Sequence, residues 1–155
     1  MLLANMIQKE WVGMNQDVEL LNYILENAQM GKDSIQELLK RVEDPQFRSL
    51  LQNQMEGYQT IYDRTSEKID RMGGEKKQIS PMTKTMSDMM IKMKTLTDHS
   101  PSHVSEMMLQ GSNMGIIDMT KRMNHYQSAD SEIVGLANHL QEFEQNNVES
   151  LKKFL

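Results

Sequence analysis

Carboxylates, imidazoles and thioethers are the groups in this chain able to do chemistry, and their spacing limits what they can do. On a helix, residues three or four apart share a face. A glutamate followed three residues later by a histidine would therefore offer two ligands to one ion. None of the glutamates has a histidine at that position. The reverse order occurs in His103-x-x-Glu106 and His139-x-x-Glu142, where a plain surface pair is the favoured reading. Two near-misses are Glu144-x-x-Asn147 and Gln54-x-x-Gly57. Glu144 stands out because it falls in an apolar stripe, where an unpaired charge is expensive. The favoured expectation pairs it with Gln54, Tyr58 or a group on the third bundle helix. The alternative makes it a ligand of a hard metal, with Glu26, Glu56, Asp118 and His139 as further candidates. His99 and His103 flank Pro101 closely enough to suggest a minor transition-metal site.

The other unusual group is the thioether. There are 16 methionines. Met82, Met86, Met89, Met90 and Met93 form a ladder at helical spacing, and Met107, Met108, Met114, Met119 and Met123 follow. The favoured reading is core filling. An adaptable surface for a partner helix comes second, because methionine is flexible and polarizable. Soft-metal binding comes third, since thioethers suit Cu(I). Lys76, Lys77, Lys84, Lys92 and Lys94 are expected on the solvated face of the ladder.

Much else is excluded. With no cysteine, disulfides, thiolate catalysis and Cys-based zinc or iron–sulfur sites are ruled out. A net charge of −5 argues against nucleic acid or an anionic membrane as the main partner. No apolar run is long enough for a membrane span, and MLLANMIQKEW lacks the h-region and cleavage site of a signal peptide. A cytoplasmic location is the default. The phosphate-binding glycine loop, the G-x-S-x-G elbow and H-E-x-x-H are all missing, so the chain leans away from being an enzyme.

The elements that must position these groups are all helical. Good helix formers dominate, which points to an all-α class. A stripe of Leu3, Ile7, Trp11 and Met14 continues through Val18, Leu21, Leu25 and Ala28. Gly13 and Asn15 weaken its middle and Asp17 suits a fresh N-cap, so a helix over 17–43 with a separate helical extension before it is expected. Asp44-Pro45 restarts the chain as a second helix, with Phe47, Leu50, Leu51, Gln54, Tyr58, Ile61, Thr65, Ile69 and Met72 on one face, until Gly73-Gly74 ends it. Ser80-Pro81 opens a partly helical crossover, and His99 to Ser102 breaks it. A third bundle helix over about 102–125 carries Gly111 and Gly115. Helical glycine costs about 1 kcal/mol against alanine, so a second helix packed closely on that bare backbone is expected. Gln127 to Asp130 is a polar link, and a fourth helix follows with Ile133, Ala137, Leu140, Glu144, Val148 and Leu151 inward. The layout repeats, as two hairpins related by a pseudo-twofold.

These segments support a resemblance. LNYILENAQMGKDSIQELLKRVEDPQFRSLL, SHVSEMMLQGSNMGIIDMTKRM and LANHLQEFEQNNVESLKKFL resemble the helices of the ferritin-like superfamily, in particular small bacterial four-helix domains of spore-forming organisms. The resemblance covers about 17–155. It implies an up-down four-helix bundle with a long crossover between helices 2 and 3 and a helical N-terminal extension. The implied division is one domain over 1–155, with the extension at 1–16, a hairpin at 17–74, the crossover at 75–101 and a second hairpin at 102–155. It implies iron or manganese where the ligand motif is intact, and here that motif is degenerate. The expected role is therefore a non-enzymatic interaction or structural protein. The alternative is a metal-binding member with a variant site. A homo-oligomer burying 2–14 and 82–96, or another protein partner, is expected, and a spore-associated location is suggested by the resemblance.

Overall fold

Helix starts in this chain are fixed by side-chain caps. The Asp44 carboxylate accepts a hydrogen bond from the Phe47 amide at 2.8 Å, with Pro45 in the first turn. The Ser100 hydroxyl accepts from the His103 amide at 3.3 Å, again with a proline following. Asp130 accepts from the Glu132 amide at 2.9 Å. Each cap satisfies an amide that the helix leaves without a partner. The computed structural model describes residues 1–77, 84–126 and 130–155, and of 84–86 the backbone alone. Among the described residues there are five helices and no strand: α1 (Leu2–Leu39), α2 (Pro45–Arg71), α3 (Lys84–Lys94), α4 (Pro101–His125) and α5 (Ser131–Lys152). The expected start at Ser80-Pro81, Met82, and most of the link at Gln127 lie outside the described residues.

Contacts along the helices give their relative directions. Val18 lies against Gly74 and Gly31 against Tyr58, so α1 and α2 are antiparallel. Phe47 meets Phe154 at 4.9 Å, Gly57 meets Phe143, and Lys68 pairs with Glu132 at 2.7 Å, so α2 and α5 are antiparallel. Gln141 donates to the Thr120 hydroxyl at 2.8 Å between α4 and α5. Tyr126 donates to Glu19 at 2.6 Å and Asn27 lies by Gly115, so α4 runs against α1. The crossover is pinned at opposite ends of the bundle. Buried Asn22 donates to the Glu75 carbonyl at 2.8 Å and accepts from the Lys77 amide at 2.9 Å. Just past the end of α1, Arg41 donates to the Lys94 carbonyl at 2.5 Å. At 1.5 Å per residue the two anchors are about 28 Å apart. The crossover therefore returns the chain to the end from which α4 sets out.

The core is built from leucine and isoleucine, among them Leu21, Ile24, Leu38, Leu51, Ile61, Ile69, Ile133 and Leu140. The expected inward face of α2 is largely met, with Leu50 and Met72 only partly buried. Three expectations fail. α1 is one continuous helix from Leu2 to Leu39, with no restart at Asp17 and no continuation to residue 43. A single glycine costs about 1 kcal/mol, less than the backbone hydrogen bonds a break at Gly13 would forfeit. Asp17 caps nothing in α1, and its carboxylate accepts from the Asp130 amide at 3.1 Å. On α5 the buried position is Asn147 and not Val148, because the inward spacing alternates four and three. The close packing expected on Gly111 and Gly115 is also absent. A Cβ at Gly111 would meet nothing within 4 Å, and one at Gly115 would meet only the Asn27 side chain at 3.4 Å. The glycines that helices do press against are Gly31, under Tyr58, and Gly57, under Phe143.

Candidate ligand-binding cleft

Halfway along the bundle the inward positions turn polar. α2 contributes Gln54 and Tyr58, α5 contributes Glu144 and Asn147, and all four are buried. Gly31 on α1 makes room for the Tyr58 ring, whose Cζ would lie 2.5 Å from a Cβ there. Held in this way, the Tyr58 hydroxyl donates to Glu144 Oε1 at 2.5 Å. Burial, then the Glu144 charge, pushes the Tyr58 phenol well above its usual range, so it remains a donor. Burial also raises the Glu144 carboxyl, and the hydrogen bonds from Tyr58 and Ser112 partly offset the rise. The expected partner of Glu144 is thus found in Tyr58. The layer is incompletely satisfied among the described residues. Glu144 Oε2, Gln54 Nε2 and Asn147 Nδ2 have no partner. An unmet buried polar atom costs about 1–3 kcal/mol, so this layer is a liability that packing alone does not explain.

Beside this layer lies a cleft of about 690 Å³ to which all five helices contribute. Tyr58 and Glu144 form its floor. One wall is α1 around Asn27, Gly31 and Ile35, and the facing wall is α4 around Met108, Gly111 and Ser112. The third side is α3, through Met89, Met90 and Met93. Gly111 and Gly115 line the cleft and widen it because they carry no side chain. Near the end of α4 the rim is charged. There the Arg122 guanidinium lies 4.6 Å from the centre of the Tyr23 ring, with Asp118, Lys121 and His125 close along the helix. Burial, and after it the Asp118 charge, raises the Tyr23 phenol.

Of the sequence-derived metal candidates, Glu26, Asp118 and Glu144 line this one cleft. Glu56 on α2 and His139 on α5 are exposed and take no part in it. His99 and His103 sit at the start of α4, where the His99 ring is hydrogen-bonded with the Leu96 carbonyl at 2.9 Å. Among the described residues no group of three or more His, Asp or Glu side chains is gathered closely enough to hold a metal ion. A di-iron or di-manganese centre of the ferritin-like kind draws a carboxylate from each of two helices and Glu-x-x-His from the other two. The buried layer here offers one carboxylate with an amide three residues on, a phenol and a second amide, and it does not fit that centre. Sequence reasoning missed the cleft, the role of the α4 glycines and Ser112, and it marked Asn147 as a vestigial ligand position while placing Val148 inward in its stead. The available signal was the polar insertion Gln54/Tyr58 in an apolar stripe, matched by Glu144/Asn147 in another.

Among the described residues no helix is long and apolar enough to cross a membrane. No curated protein matches the chain. A solved structure with the same fold is the crystal structure of a DUF305 fragment from Deinococcus radiodurans. It is similar over 89% of this chain and 93% of its own, with a TM-score of 0.70 and 17% identity, a likeness of fold alone. The model of one family, described as a domain of unknown function (DUF2383), matches residues 16–125, and the chain belongs to that family.

Proposed function

We propose that this chain is a non-enzymatic binding bundle of ferritin-like topology, whose cleft takes up a small ligand in place of the lost di-metal centre. The observation that carries the reading is Glu144. It is 4% exposed, keeps one oxygen without a partner, and forms the floor of a cleft that two glycines hold open. Largely apolar walls with a few convergent polar groups are the usual character of a ligand pocket. The topology part rests on the antiparallel hairpins and on one crossover running the length of the bundle. A cytoplasmic setting rests on the acidic, cysteine-free composition.

The test is saturable binding of a fluorescent apolar probe such as anilinonaphthalene sulfonate. Gly111→Trp projects a large ring into the open space and is expected to weaken binding at least about tenfold, the equivalent of ~1.4 kcal/mol. Equal probe affinity in that folded variant refutes the cleft as the site.

A second reading, a hard-metal site with a variant ligand set, is favoured by one observation. Three candidate carboxylates, Glu26, Asp118 and Glu144, line the same cleft. Elemental analysis of untagged protein grown with iron, manganese, zinc and copper decides it. That reading requires stoichiometric iron or manganese that Glu144→Ala abolishes. Self-association through a second copy is part of the proposal for α1. Ile7 and Trp11 are 60% and 62% exposed, on the helix face whose later residues pack in the bundle. Sedimentation as a monomer at high micromolar concentration would end that part.

A further inference from the structure

We infer that the cleft is a thioether site for a soft monovalent cation, Cu(I) by chemical class, with the floor carboxylate as its counter-charge. This rests on the cleft being a ligand site and names its ligand. The argument begins with where methionine is used. Six methionines line the cleft: Met30 from α1, Met89, Met90 and Met93 from α3, and Met108 and Met114 from α4. They are six of its twenty-one lining residues, against 16 of 155 in the chain. The core is built mainly from leucine and isoleucine, twelve of its twenty-three residues, with three methionines, of which Met93 also lines the cleft. The cleft has no leucine and one isoleucine. Core filling, the favoured reading of the methionines from sequence, accounts for Met93 and for Met89 and Met108, which pack against the core. It does not account for Met30, Met90 and Met114 on the same walls, where leucine would pack as well and with better-defined rotamers.

The donor chemistry is consistent with a soft ion. Thioethers bind soft ions such as Cu(I) and neglect hard ones. The chain has no thiolate to compete. Three rotatable bonds let sulfurs from facing walls turn toward a common ion. Neutral ligands leave the charge of the ion uncompensated. Glu144, with its unpartnered Oε2, provides a carboxylate on the same cleft.

The experiment uses the full untagged chain under anaerobic conditions. Cu(I) is supplied as its bicinchoninate complex at pH 7.5 and transfer is read by loss of colour. One tightly held equivalent is expected. The triple variant Met89→Leu/Met90→Leu/Met93→Leu keeps an apolar wall and is expected to bind Cu(I) at least about tenfold more weakly, ~1.4 kcal/mol, with far-ultraviolet dichroism unchanged. Wild-type affinity in the triple variant overturns the inference, as does failure of the wild-type chain to take the ion. If the triple variant does not fold, X-ray absorption of the wild-type complex decides the matter. Sulfur neighbours around copper support the site, and nitrogen or oxygen neighbours alone overturn it. Probe binding without Cu(I) binding rejects the metal and leaves the cleft standing, and loss of both rejects the two together.

Discussion

Replacing Glu144 by glutamine is the sharpest test of the buried layer. Burial lifts the folded-state carboxyl above its usual 4.5, so the folded chain holds this proton more tightly than the unfolded chain does. The sign follows by linkage. The stabilising contribution is whole below the unfolded value and is lost as pH rises through the folded one. One proton is involved, so stability can fall by at most ~1.4 kcal/mol per pH unit across that window. Glutamine keeps the shape and still accepts from the Tyr58 hydroxyl, but it carries no titratable proton. Other carboxylates move the opposite way. Glu37 and Glu132 are lowered chiefly by hydrogen bonds from Lys40 and Lys68, and Asp98 by the Ser100 amide, and these contributions are lost toward acid. They are common to both chains and cancel in the difference. Urea unfolding followed by circular dichroism from pH 4 to 8 should give a difference profile that is flat near pH 4. It should then rise in favour of Glu144→Gln as pH increases. Parallel profiles, or a variant weaker by a constant amount throughout, would show that Glu144 is not held in a desolvated site.

Gly31→Ala sets a Cβ 2.5 Å from the Tyr58 ring, where overpacking costs about 1–3 kcal/mol and the helix propensity gain returns about 1, so a net loss of up to ~2 kcal/mol is expected in chemical denaturation. Gly111→Ala meets nothing within 4 Å and should stabilise the chain by about 0.5–1 kcal/mol in the same assay. Asn22→Ala removes both hydrogen bonds that hold the start of the crossover. It should cost about 1–3 kcal/mol and speed amide exchange at Lys77, whose N–H donates to the Asn22 side-chain oxygen Oδ1.

The parts of the fold that were legible in the sequence are those written in local chemistry. Asp44-Pro45 announces its helix because a cap is a contact between residues three apart. Ser100 and Asp130 cap α4 and α5 in the same way, although from sequence they were legible only as a break and a polar link. The α2 stripe was readable because burial there is nearly periodic. The continuity of α1 through Gly13 was not, because propensity ranks a glycine as weak without saying whether the helix breaks. The α4 glycines were misread for a related reason. A bare helical backbone tells of a close neighbour or of open space, and only the positions of α1 and α3 decide between them. Glu144 was found from its stripe, but the Tyr58 ring seated on Gly31 depends on contacts 27 and 86 residues apart along the chain.

The polar layer and the cleft account for each other. Four carboxylates facing one another inside a bundle repel, and such a centre leans on its cation to stay folded. A lone carboxyl that accepts from a phenol carries no such repulsion, and it can stay neutral when the cleft holds no ligand. What it does carry is unmet polar atoms, which would be costly sealed in a core and are less so where a floor opens on a cleft. The donors present decide which ions the site suits. The buried layer offers one carboxylate and neutral oxygens, while thioethers reach the cleft from three helices. A cleft with many soft neutral donors and one buried anion discriminates against small divalent ions, whose desolvation it cannot repay. It favours a soft ion of single charge, whose one positive charge a single carboxylate balances.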